Sequence, residues 1–226
     1  MIFNKIFKKN PFFYKIWFAI RMRGKKLFLP QKKHDFFLDG FQRSGNSYLV
    51  ALLIYCFGKK LKFSHHLHNI APIKIAMRLN LDIWIAIRKP EKSIASFAIM
   101  RKYYGNTKDF DKLIDQILSD WIAYYDFVQK KCPKAKFIIV DEQFDDALFL
   151  NNIASEYNIE KNKDFKETIK DFKISYDNLN KKKPFERTNI PNKKRELKKN
   201  KLTKEIMNNK NFHVAYKIFK HINEQV

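Results

Sequence analysis

Cysteine is nearly absent: the 226-residue chain has two, Cys56 and Cys132. They lack metal-ligand spacing and make no disulfide framework, so we read them as buried thiols of a reduced compartment, with a cytoplasmic location expected. Acid is scarce relative to base, with 23 Asp and Glu against 46 Lys and Arg. The first 34 residues carry ten Lys or Arg and no acid. Long apolar runs are missing there too. "PFFYKIWFAI" reaches about half a membrane span and contains Lys15. No small-residue cleavage site follows, so a secretory signal is not expected. Arginine is rarer still, at eight of the 46 basic residues, so each arginine in this lysine-biased chain invites inspection. No internal repeat is present.

What is there is globular. The chain is 45% hydrophobic with 22 phenylalanines, and its length suits one sizeable domain. The net charge of +23 has two readings, an anionic partner or a lysine-rich solvated surface of the kind an A/T-rich coding sequence produces. Residues 1–34 form a basic aromatic segment, open to lying in a membrane interface or to packing as an amphipathic helix. Residues 35–226 form the main domain.

Strands and helices alternate along that domain. "FFLD" (36–39), "LKFSH" (61–65), "DIWIAI" (82–87) and "KFIIV" (136–140) read as strands. Helices are expected over Asn46–Phe57, Ile73–Leu79, Pro90–Tyr104, Lys108–Lys130 and Asp145–Tyr157, with a terminal one over Thr203–Asn223. In the longest, Leu113, Ile114, Ile117, Leu118, Trp121, Tyr125 and Val128 share one face. Such alternation implies an α/β fold, a single domain with a parallel β-sheet flanked by helices. Beyond Glu160 the pattern weakens, and the basic stretch 180–201 reads as a loop or flap.

The informative stretch follows the first strand: "GFQRSGNS", Gly40–Ser47. Two glycines permit a tight turn and close backbone approach. The amides of residues 44–47 are expected to stand unpaired at a helix N-terminus, a ready cradle for an anion. The spacing nearly fits the phosphate loop G-x-x-x-x-G-K-[ST], except that Asn46 stands where the lysine belongs. The cation sits three residues earlier, as Arg43. "RKPEKSIAS" offers a second arginine, Arg88, at the exit of the third strand, with Ser96 eight residues on. Guanidinium groups grip phosphate in a bidentate fork that lysine cannot form. Between these sites lies "SHHLH", with Ser64, His65, His66 and His68. A histidine here serves as a general base, as a plain structural residue or as a metal ligand.

Together these residues resemble the sulfotransferases that use PAPS, 3′-phosphoadenosine 5′-phosphosulfate. "RSGNSYL" resembles the family's 5′-phosphosulfate loop, [KR]-S-G-[TN]-[ST]-[WY]-L, with Arg43 as the basic position, Ser44 and Gly45 as the turn, Asn46 within it and Ser47 as the hydroxyl. "RKPEKSIAS" resembles the 3′-phosphate motif R-[ND]-P-x-x-x-x-x-S, with Lys89 as a departure and Arg88 and Ser96 as the implied phosphate ligands. "HHL" resembles the T-H-L segment, which implies His66 as the base. The match runs from about Phe36 to Gln143, where Asp141 replaces a family tyrosine, and the family's C-terminal R-K-G loop has no clean counterpart unless "FERTNIP" supplies it. The resemblance implies a P-loop NTPase-like fold and transfer of a sulfuryl group from PAPS to a hydroxyl or amine, with no metal. Arg43 and the loop amides would stabilise the charge. The acceptor is expected to be a saccharide or glycolipid, with peripheral membrane contact at the inner face, and nucleic acid is not the expected partner.

Two rivals stand beside this reading. A nucleotide kinase or NTPase draws support from "FIIVDE", an apolar strand ending in an acid suited to magnesium, and is opposed by Asn46. A nucleic-acid or membrane-surface binder draws support from the charge and would show steep salt dependence.

Overall fold

A computed structural model describes residues 9–21, 29–104, 109–141, 143–160, 165–181 and 193–226. Four parallel strands, β1 (Phe36–Gly40), β2 (Phe63–His65), β3 (Asp82–Ile87) and β4 (Lys136–Ile139), form one sheet in the order β2-β1-β3-β4. Leu38 pairs with Trp84, Gly40 with Ala86 and Ile87 with Ile139. The chain runs from β1 outward to β2, then returns to the other side of β1 for β3. The order therefore reverses between β1 and β3, and at such a point the loops leaving the carboxyl ends part to make a crevice.

Alternating side chains give the sheet two faces. Phe37, Ile83, Ile85 and Ile87 point to one core; Phe36, Leu38, Trp84, Ala86 and Ile138 point to the other. Both faces are apolar because both are covered, as parallel sheets require. On the first pack α1 (Pro11–Arg21), α3 (Ile70–Arg78), α4 (Pro90–Tyr104), α5 (Phe110–Lys131), α8 (Lys193–Met207) and α9 (Phe212–Asn223). On the second pack α2 (Asn46–Phe57), α6 (Asp146–Glu156) and α7 (Phe165–Lys181).

Local chemistry sets several helix ends. Asp109 accepts the amide of Lys112 at the start of α5, and Asp145 accepts those of Ala147 and Leu148 at the start of α6. Each satisfies donors that a helix N-terminus cannot pair internally. Within α5, Trp121 and Tyr125 are fully buried, each contributing roughly 1.5–3 kcal/mol by burial.

The N-terminal segment packs in part: Tyr14 and Phe18 of α1 sit in the first core, while Phe12, Phe13 and Ile16 are exposed. No helix among the described residues is long and apolar enough to cross a membrane. Cys132 is buried and Cys56 only half-buried, and burial raises both thiols to about 11.

The C-terminal third differs from the sequence expectation. Helix α7 occupies 165–181, where no pattern was expected, and α8 begins at Lys193, inside the stretch read as a loop. Residues 182–192, including "FERTNIP", lie outside the described residues. The single terminal helix expected over Thr203–Asn223 is two, α8 and α9, interrupted at 208–211. There Asn209 accepts the amide of Asn211 and donates to Asp115. Asparagine side chains favour such local turns over continued helix.

Candidate active site

A cavity of about 340 Å³ opens at the carboxyl end of the sheet. Arg43, Gly45, Asn46 and Ser47 reach it from the loop after β1, Arg88 from the end of β3 and Ser96 from α4. The residues of both sequence motifs thus meet at the β1–β3 reversal. Arg43 donates through Nε to Ser96 Oγ at 2.9 Å, tying the first motif to the second.

The loop is shaped by close approach. A Cβ on Gly40 would stand 2.3 Å from the Ala86 carbonyl oxygen, so β1 and β3 could not keep their separation. Gly45 has φ 98°, and its Cβ would stand 2.5 Å from Val140 Cγ1. Both features demand glycine. Arg43 is left-handed as well, with φ 70°, a conformation uncommon without glycine and concentrated at functional sites.

Tyr125 of α5 is the pillar of the loop. Its Oη donates to the Ala86 carbonyl at 2.8 Å and accepts from the Phe41 amide at 3.2 Å. With its own proton spent on Ala86, it accepts from Ser44 Oγ at 3.0 Å. Ser44 is therefore fully buried and absent from the cavity lining; its amide also departs from expectation, donating to the Phe41 carbonyl. Asn46 is buried too. Its Nδ2 donates to the carbonyls of Gly40 and Phe41, both at 3.1 Å, closing the turn where a phosphate loop would extend a lysine. Among the described residues no hydrogen bond takes the amides of Gly45, Asn46 or Ser47, which remain to receive an anion.

The histidines of the 65–68 segment lie beside the loop. His66 Nε2 lies 3.0 Å from Ser47 Oγ, and its Nδ1 lies 2.7 Å from His65 Nδ1. Burial, then neighbouring imidazoles, pull His65 down to about 3; burial and His68 pull His66 down to about 4. His68 lines the cavity directly, beside a fully buried Asp39.

Several lining residues were not found from sequence. Tyr176 of α7 and Lys199 of α8 come from segments without visible periodicity; Asp141 after β4, which the sequence did mark, also faces the cavity. Tyr48 donates to the Asp146 carboxylate at 2.9 Å, which in turn holds Lys173 at 2.7 Å, fastening α2 to α6 and α7. A second cavity of about 370 Å³ adjoins the first and shares Gln42 and His68 with it. Its walls are Phe41, Ile70, Phe97, Leu113 and Ile117, with Lys9, Arg101 and Asp120 as charged groups.

The site is thus a strand–loop–helix turn at the reversal point of a parallel α/β sheet, with loop amides and two guanidinium groups around one cavity, an arrangement able to hold an anion. No family model matches the sequence, and no curated protein matches it. Among solved structures the chain is similar to a mouse sulfotransferase, SULT7A1, complexed with PAP: 13% identity, 90% of this chain and 95% of that chain covered, and a TM-score of 0.47.

Proposed function

We propose that this protein is a PAPS-dependent sulfotransferase. The observation that carries the reading is the meeting of Arg43, Arg88 and Ser96 on one cavity, with Arg43 bonded to Ser96. Two guanidinium groups from separate strand ends suit a ligand with two separate anionic groups, which PAPS has in its 5′-phosphosulfate and its 3′-phosphate. Gly45, Ser47 and the loop amides fit the phosphosulfate end; Arg88 and Ser96 fit the 3′-phosphate, which ATP lacks. A sulfuryl group leaves phosphate through a loose transition state, as phosphoryl groups do, so positioning and charge stabilisation supply most of the catalysis. Arg43 and the amides stabilise the negative charge on the bridging oxygen.

The adjoining cavity receives the acceptor. An imidazole of the 65–68 segment takes the proton of its hydroxyl or amine, and the family resemblance expects His66 in that role. A saccharide or glycolipid acceptor fits the basic surface, and the exposed Phe12, Phe13 and Ile16 of α1 suit peripheral contact with an anionic membrane. Failure to sediment with anionic vesicles would remove the membrane part of this proposal.

A nucleotide kinase is the second reading, favoured by Asp141 on the cavity wall. Calorimetric titration of the full chain with adenosine 3′,5′-bisphosphate and with ATP–Mg separates the two. Tighter binding of the bisphosphate is expected; equal or tighter binding of ATP–Mg would overturn the sulfotransferase reading.

A further inference from the structure

The two cavities meet at His68 and Gln42. His68 has φ 50°, in the left-handed region that His66 also occupies with φ 60° and that histidine enters more readily than most residues with a Cβ. Contacts to the end of β1 hold it there. Its amide donates to Asp39 Oδ1 at 3.1 Å. Its Nδ1 lies 2.8 Å from the Gly40 carbonyl oxygen, 3.2 Å from Asp39 Oδ1 and 3.4 Å from Asn46 Nδ2, which donates at shorter range to the Gly40 and Phe41 carbonyls. A carbonyl oxygen has no proton to give, so Nδ1 carries the hydrogen. In the neutral ring the lone pair is then on Nε2, and no hydrogen bond among the described residues engages that nitrogen. The side chain is 19% exposed, while Asp39 behind it is 0% exposed.

His66 is placed otherwise. Both of its ring nitrogens have partners, Ser47 and His65, and it lines neither cavity. Its place beside Ser47 suits it to orienting that hydroxyl.

We infer that His68, not His66, accepts the proton of the attacking group, and that Asp39 is its positioning residue. The inference rests on the sulfuryl-transfer reading above. As the acceptor oxygen or nitrogen forms a bond to sulfur, the bond from sulfur to the bridging oxygen breaks. Its electron pair stays on the 5′-phosphate of the departing adenosine 3′,5′-bisphosphate. The acceptor's proton moves to His68 Nε2, the Asp39 carboxylate balances the resulting imidazolium, and the proton later passes to water.

The groups around this imidazole are Asp39 from β1, His65 and His66 from its own segment and Tyr124 from α5; across the two cavities stand Arg43, Arg88, Lys199 and Asp141 on one side and Lys9, Arg101 and Asp120 on the other. Burial pulls His68 down, but the hydrogen bond and charge of Asp39 outweigh it, and the net direction is above 6.5. His66 lies at about 4. The acid limb of the rate profile therefore distinguishes them, because a base works only once deprotonated.

Histidine-nitrogen NMR of the full chain tests the geometry without any ligand. We expect His68 as the Nδ1–H tautomer, with a titration midpoint that falls in Asp39→Asn. An Nε2–H tautomer, or a midpoint unmoved by Asp39→Asn, would overturn the assignment. Consumption of PAPS, with water or an added alcohol as acceptor, tests the role. His68→Gln should lower kcat by about 100- to 10,000-fold with the KM for PAPS unchanged, and His66→Gln by less than about tenfold. The acid limb should lie above pH 6.5 and shift with Asp39→Asn, which a merely structural carboxylate would not do. Turnover abolished by His66→Gln and retained by His68→Gln would sink the inference. Wild-type protein that fails to bind adenosine 3′,5′-bisphosphate would instead sink the sulfotransferase reading, and the tautomer measurement would still stand.

Discussion

Arg43 and Ser96 are 53 positions apart in sequence and 2.9 Å apart in space. The bond joins the turn after β1 to the helix after β3, across the line where the strand order reverses. It also holds one cation of the cavity in a fixed place before any ligand arrives, and such preorganisation lowers the ordering cost of binding.

Arg88→Ala should weaken adenosine 3′,5′-bisphosphate by about 10- to 150-fold, the loss expected for charge-assisted hydrogen bonds, and leave ATP–Mg affinity nearly unchanged. Arg88→Lys should recover only part, since an ammonium cannot fork onto a phosphate. Calorimetry on the three proteins gives the comparison, and equal losses for both nucleotides would contradict the 3′-phosphate assignment.

Gly45→Ala meets two separate obstacles. The added methyl enters Val140, and φ 98° is unfavourable for any residue with a Cβ. Overpacking and backbone strain each cost about 1–3 kcal/mol. Gly45→Ala with Val140→Ala relieves the first and leaves the second. Urea unfolding should therefore show the double variant recovering part of the loss, whereas full recovery would mean the backbone conformation is not strained.

The strands and the anion loop were legible in the sequence because their signals are local. "FFLDG" and "DIWIAI" are apolar on both faces, as a covered parallel strand must be, and Gly40 and Gly45 mark the turn directly. The C-terminal helices were not. In α7 the buried Phe165, Ile169 and Phe172 form a thin stripe among polar residues, and among the described side chains of α8 only Leu202 and Ile206 are buried. So few apolar positions give no visible period, although tertiary packing suffices to hold a helix. Lys199 was hidden for a related reason, as one lysine among many. Asp39 and His68 carry meaning only as a pair, and their 29 positions of separation close only when β2 lies beside β1.

Tyr125→Phe removes one hydroxyl and strands three groups: the Ala86 carbonyl, the Phe41 amide and Ser44 Oγ. Leaving buried polar groups unpaired costs about 1–3 kcal/mol. The expected outcome is a lower urea midpoint at an unchanged slope, together with weaker bisphosphate binding as the loop loses its pillar. Lost stability with intact affinity would show that Tyr125 supports the core and not the loop.

The histidines make stability depend on pH in two opposed ways. Burial lowers His34, His65 and His66, the last two to about 3 and 4. Between those values and 6.5 the unfolded chain binds more protons than the folded one, so stability falls as pH drops through that window. His68 runs the other way. Asp39 raises it above 6.5, so its contribution is full below 6.5 and is lost as pH rises through its folded value. Stability should peak near neutrality and decline on both sides, by roughly 1–3 kcal/mol on the acid side. Urea unfolding across this range measures both limbs. Asp39→Asn should flatten the histidine-linked alkaline decline and leave the acid limb in place, because His34, His65 and His66 owe their low values first to burial. An alkaline limb that survives the substitution would mean that the Asp39–His68 pair does not hold the folded chain's proton.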